Sequence, residues 1–131
     1  EDSIKSWQKI YPNLINLHKK SFEKEGIGFF GSGTLEWGMI NKKSPTYQEL
    51  SRSHDKIKHL KKKIMVTHEP PSGSKIELLG FPGTYGIKKA IDRFKPDFLI
   101  CGHIHEGGGL IEKMGKTKII NVSRTPTIFE I

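Results

Sequence analysis

Two apolar runs in the second half of the chain each stop on a histidine, and this recurrence constrains the fold more than any other feature. Lys63-Ile64-Met65-Val66-Thr67 halts at His68-Glu69-Pro70-Pro71, and Asp97-Phe98-Leu99-Ile100-Cys101 halts at Gly102-His103-Ile104-His105. The first prolines and then Ser72-Gly73-Ser74 force a loop. Ile87, Ala90, Ile91 and Phe94 then fall at helical spacing, with Thr84 as the N-cap and Lys95-Pro96 as the stop. Open α/β sheets gather ligands beyond the carboxyl ends of their strands, so His68, His103 and His105 are expected at one edge.

The rest of the chain supports a mixed α/β reading. Ile4, Trp7 and Tyr11 predict a short helix from Ser3 to about Tyr11, capped by Asp2 or Ser3 and broken by Pro12. Leu14-Ile15-Asn16-Leu17 predicts a brief strand, Lys24-Glu25-Gly26 a turn, and Ile27 to Thr34 a buried strand ending in a tight loop. Trp37 to Pro45 is expected as a surface loop. A helix from Thr46 to about Lys62 would then carry Tyr47, Leu50, His54, Ile57 and Leu60 on one stripe. His54 is read as a packed or rim histidine, because no partner ligand lies at i+3 or i+4. A hairpin turning at Met114-Gly115-Lys116 joins Leu110-Ile111-Glu112 to Thr117–Val122, and a last strand is expected at Thr127 to Ile131. Alternating strands and helices followed by consecutive antiparallel strands predict two packed sheets. No repeat divides the chain, so 1–131 is expected to be one domain or a piece of one.

Composition excludes several classes. With 34% apolar and 27% charged residues, the chain reads as a soluble globular domain. No run approaches the roughly 20 apolar residues of a membrane span, and Glu1-Asp2-Ser3 does not resemble a signal peptide, so a cytoplasmic protein is expected. A single cysteine, Cys101, excludes an internal disulfide framework and is read as a small buried hydrophobe. The net charge of +8 is compatible with nucleic acid, although the basic stretch from Arg52 to Lys63 reads more simply as the solvated face of a helix. The chain begins at Glu1 without a methionine, as a processed or excised piece would.

In extended backbone, His103 and His105 would project to the same side, and Gly102 leaves room for a ligand close to the chain. Neutral imidazole is a common ligand for zinc, manganese and iron class ions. The same spacing is met by surface-loop histidines that happen to be close. The neighbours of these residues carry more. Val66-Thr67-His68-Glu69-Pro70-Pro71-Ser72-Gly73, Lys95-Pro96-Asp97, Ile100-Cys101-Gly102-His103-Ile104-His105-Glu106 with Gly109, and Ile120-Asn121-Val122 resemble, in order and spacing, the late motifs of calcineurin-like metallophosphoesterases, small microbial phosphodiesterase-like members most closely.

The resemblance implies one half of a four-layer α-β-β-α sandwich of two mixed sheets, with this chain as the C-terminal half of the domain. It implies that His68 and His103 bind one divalent ion and His105 its neighbour, in a pair of the Mn, Fe, Zn or Ni class. The implied reaction is hydrolysis of a phosphomonoester or phosphodiester by a hydroxide bridging the two ions. The family's Asp-x-His, Gly-Asp and Gly-Asn-His motifs do not occur here, so no catalytic residue is assigned to this chain. Alone it would bind one ion weakly. The missing motifs are expected on a second polypeptide; the alternatives are an inactive half-domain serving as a scaffold, a homo-oligomer that covers an apolar sheet face, or a basic nucleic-acid-binding module.

Lesser expectations complete the set. His18 is read as a turn residue, and Glu69 and Glu106 as exposed carboxylates or as acceptors that orient the histidines. Ser123 stands where the resembled family has glycine, so the Ser123-Arg124-Thr125-Pro126 loop is expected to differ locally.

Overall fold

A computed structural model describes residues 2–40 and 43–131; residues 41 and 42 of the expected surface loop, and Glu1, lie outside the described residues. The elements in chain order are α1 (Asp2–Ile10), β1 (Ser21–Lys24), β2 (Ile27–Ser32), α2 (Pro45–Asp55), β3 (Lys62–Thr67), α3 (Tyr85–Phe94), β4 (Phe98–Cys101), β5 (Ile111–Met114) and β6 (Thr117–Asn121). Short 3-10 turns occupy Lys75–Leu79 and His105–Gly107. The strands form a six-stranded sheet in the order β1-β2-β3-β4-β6-β5. β2, β3, β4 and β6 run parallel, and β1 and β5 pair antiparallel at the edges.

Register explains why the parallel strands are so apolar. Phe30, Met65, Leu99 and Ile119 lie directly opposite one another across the sheet. Side chains alternate between faces along a strand, so this row faces one way. It packs with Leu50 and Ile57 from α2 and the turn after it, and with Ile87, Ala90 and Ile91 from α3, as the main core. Each large side chain so buried contributes roughly 1.5–3 kcal/mol. The flanking rows, Phe29-Ile64-Phe98 and Val66-Ile100-Ile120, face the other way. Phe98 meets Phe129 there with ring centroids 5.2 Å apart, and Phe98, Ile100 and Val66 remain half-buried.

Local signals set the helix ends. Ser44 caps α2, its hydroxyl oxygen accepting from the Tyr47 N–H at 3.1 Å, and Pro45 follows where a missing N–H costs nothing. α3 ends on Lys95 in the left-handed region (φ 47°), and Pro96 prevents continuation. Thr84 occupies the N-cap position of α3 without making a capping bond; its hydroxyl donates to Glu69 instead.

Several expectations are corrected. The described residues form one sheet, not two packed sheets. Leu14–Leu17 and Thr127–Ile131 are irregular: Leu14, Ile15 and Leu17 line a groove, and Phe129 packs on the sheet face instead of pairing at an edge. β1 is not expected from sequence, because its Ser-Phe-Glu-Lys composition lacks strand character and only pairing with β2 orders it. α2 stops at Asp55, so the basic stretch from Arg52 to Lys63 divides among a helix end, a turn and the start of β3, and forms no single helix face. Among the described residues, no helix is long and apolar enough to cross a membrane.

Candidate functional site

The parallel strands deliver their C-termini to one edge, and their backbones remain joined there. The His68 N–H donates to Ser32 O at 3.2 Å, and the Gly102 N–H donates to His68 O at 3.0 Å. Beyond β4 the chain leaves extended geometry at once. His103 has φ 70°, and the Ile104 N–H donates to Gly102 O at 2.9 Å, which closes a tight γ-turn around His103. A non-glycine residue there is strained by about 1–3 kcal/mol, a cost that concentrates at functional sites.

This turn swings the His103 ring against His68. His68 Nε2 and His103 Nδ1 are 2.9 Å apart, one ring donating and the other accepting. Burial, and then repulsion from His103, hold the His68 pKa below the ordinary histidine value against the opposing pull of Glu69. A deprotonated imidazole has the lone pair that a metal requires. Two nitrogens bound to one ion at about 2.1 Å and about 90° to each other would be about 3.0 Å apart, so the pair fits two adjacent positions of a coordination sphere. His105 opens the 3-10 turn His105–Gly107 and is exposed. The expectation that His103 and His105 share one extended segment is corrected: Ile104 between them is extended (φ −92°, ψ 103°), but His103 itself lies in the left-handed region. Among the described residues, no group of three His, Cys, Asp or Glu side chains converges as a metal site.

His18 also comes to this edge. Its Nδ1 accepts from the Gly33 N–H at 2.9 Å, its backbone bridges to Gly31, and its own N–H donates to Asn16 Oδ1 at 2.9 Å. With His68 it borders an open groove of about 380 Å³, otherwise lined mainly by apolar side chains including Ile4, Leu14 and Leu17. Gly31 is required at this crossing, since a Cβ there would lie 2.5 Å from Val66 O.

Glu69 is neither exposed nor bonded to a histidine ring. Buried to 3% exposure, it accepts from the Glu36 N–H at 2.6 Å, the Trp37 N–H at 2.9 Å and the Thr84 hydroxyl at 3.1 Å. Glu36 is buried as well and accepts from the Ser44 hydroxyl and the Thr46 N–H. These two carboxylates fasten the loop after β2 so that the Trp37 ring meets His103 edge-on, with centroids 4.7 Å apart and planes at 76°. The signal in sequence was Leu35, Trp37, Met39 and Ile40 clustered in a loop, an apolar content that a solvated connection does not need.

Glu106 is exposed. Ser123 is buried under Gly102, its N–H donating to Asn121 Oδ1 at 3.0 Å and its hydroxyl without a partner. Arg124, next in the loop, takes φ 50°. Cys101 is 2% exposed, and burial pushes its thiol up to about 12, which leaves it inert.

No protein-family model matches the chain. A UPF0046 protein of Caenorhabditis elegans, K07C11.7, is 26% identical over 117 residues, which are 88% of this chain and 39% of that protein. A solved crystal structure superposes with a TM-score of 0.68 at 19% identity, over 93% of this chain and 51% of the other. The crystal structure of TT1561 of Thermus thermophilus gives 0.66 at 14% identity, over 93% of this chain and 55% of the other. The chain thus spans about half of the two solved chains and less of the worm relative. At these identities the likeness establishes the fold alone, a mixed α/β fold with, among the described residues, a six-stranded sheet and three α-helices.

Proposed function

We propose that this chain supplies the late histidine side of a calcineurin-like metallophosphoesterase site, acting on a phosphomonoester or phosphodiester. The observation that carries this reading is the 2.9 Å approach of His68 Nε2 to His103 Nδ1 at the carboxyl ends of adjacent parallel strands. In this reading His68 and His103 hold one divalent ion of the Mn, Fe, Zn or Ni class. His105 holds the second, together with carboxylate and histidine ligands that this chain lacks. Two such ions supply the positive charge that polarises a phosphoester and lowers the pKa of water.

The chain's own residues set the geometry. The strained turn at His103 and the hydrogen-bonded ends of β2, β3 and β4 hold the two rings in place before any ligand arrives, which limits reorganisation on binding. The half-buried side chains of Phe98, Ile100 and Val66, beside the buried Ile64 and Ile120, suit a second sheet, as the four-layer sandwich requires. The same face favours the runner-up reading, an inactive half-domain that binds a partner.

The test combines the chain with a polypeptide bearing Asp-x-His, Gly-Asp and Gly-Asn-His, and follows Mn²⁺-dependent hydrolysis of bis(p-nitrophenyl) phosphate. The expected result is turnover that falls by more than about 100-fold in His68→Ala and in His103→Ala, since even groups that only support a ligand are worth about 10–100-fold. Turnover and metal content unchanged in both variants would remove the reading.

A further inference from the structure

We propose that Trp37 is a specificity-determining residue of this edge: its indole forms a wall beside His103 that selects phosphoesters whose ester group is a flat aromatic ring. For the phosphate this rests on the phosphoester reading above; for the aromatic ring it rests on the geometry of Trp37 itself.

Trp37 has φ 54°. The left-handed region costs a bulky residue about 1–2 kcal/mol, so something must hold it there. The buried Glu69 carboxylate does so, accepting from the N–H groups of Glu36 and Trp37 with one oxygen each. Hydrogen bonds to an ionised carboxylate are about twice as strong as neutral ones. Gly38 follows at φ 74°, packed so closely on Pro82 that a Cβ would lie 2.4 Å from Pro82 Cβ. The loop is therefore fixed on both sides of the indole.

This construction does not bury the ring. Trp37 remains 65% exposed although its ring meets that of His103 with the planes at 76°, and Met39 beside it is 64% exposed. Scattered exposed apolar side chains need no explanation. A strained backbone anchored by a buried carboxylate, presenting an open indole face within contact of a ligand-type histidine, does. A π-face at that position stacks a planar ring in offset or edge-on geometry and gives no such contact to an alkyl ester group.

The experiment titrates the full chain, in saturating Zn²⁺, which is diamagnetic, with 1-naphthyl phosphate, glycerol 2-phosphate and 1-naphthol, followed by NMR chemical shifts. The expected result is that 1-naphthyl phosphate binds about 3- to 10-fold tighter than glycerol 2-phosphate, as one aromatic contact provides. Trp37→Ala removes that preference and the 1-naphthol binding while leaving glycerol 2-phosphate unchanged, and Trp37→Phe retains most of both. Equal weakening of the two phosphates in Trp37→Ala, with Trp37→Phe equally weak, overturns the proposal, because Trp37 would then only support the loop. Absence of any aromatic preference in the parent overturns it too. Trp37-dependent binding of 1-naphthol with no binding of either phosphate sustains the aromatic wall and sinks the phosphoester reading instead.

Discussion

His54 and His68 show how position decides what one residue type does. His54 stacks on Phe94 at 4.3 Å, meets Phe30 edge-on at 5.2 Å, and keeps Nε2 without a partner in a site 8% exposed. Burial first, then the charges of Lys63 and Lys58 against that of Asp55, lower its pKa. The unfolded chain therefore takes up this proton first as pH falls. Stability from His54 is complete above the unfolded value of about 6.5 and is lost as pH drops from there toward the folded value. Urea unfolding between pH 7.5 and 5.5 should show stability falling toward the acid end, by at most about 1.4 kcal/mol per pH unit for this one proton. His54→Leu should flatten that slope; a slope unchanged by the substitution would show that other groups carry it. The packed role of His54 was legible because no ligand partner stood at helical spacing. The γ-turn at His103 was not, since it depends on bonds among Gly102, Ile104 and the end of β3. Nor was the display of Trp37, whose anchor, Glu69, lies 32 residues away.

The elements that can be read in advance are those whose composition matches their burial. β3, β4 and α3 match expectation closely because strands between strands are apolar throughout and a helix covering them is amphipathic. Edges are harder: β1 is polar yet paired, while Leu14–Leu17 is apolar yet unpaired because it lines the groove. Packing between α2 and α3 has its own test. Gly86 in the first turn of α3 faces the Ser44 cap of α2, where an added Cβ would lie 2.0 Å from Ser44 Oγ. Helix propensity alone would reward alanine by about 1 kcal/mol. Overpacking at this distance dominates, because Ser44 is committed to Glu36 and to the Tyr47 N–H. Gly86→Ala should lower stability by about 1–3 kcal/mol in denaturant unfolding. Equal or higher stability would mean that the two helices can separate freely.

At the scale of the whole molecule, a six-stranded sheet carries α2 and α3 on one face, a half-buried apolar surface on the other, and two touching histidines at the carboxyl edge. The order of the histidines and the α/β character were legible in the sequence. The number of sheets was not, because the late hairpin that suggested a second sheet pairs with β4 and extends the first, and Phe129 packs on its face. In the proposed site, His68 and His103 act together as ligands of one divalent ion. Adding substoichiometric Mn²⁺ to the chain and following paramagnetic broadening of the histidine ring resonances by NMR tests this claim. The claim predicts that His68 and His103 broaden before His54 and His59, and that His103→Ala abolishes the effect at His68. Uniform broadening of all exposed histidines, or undiminished broadening of His68 in His103→Ala, would contradict it.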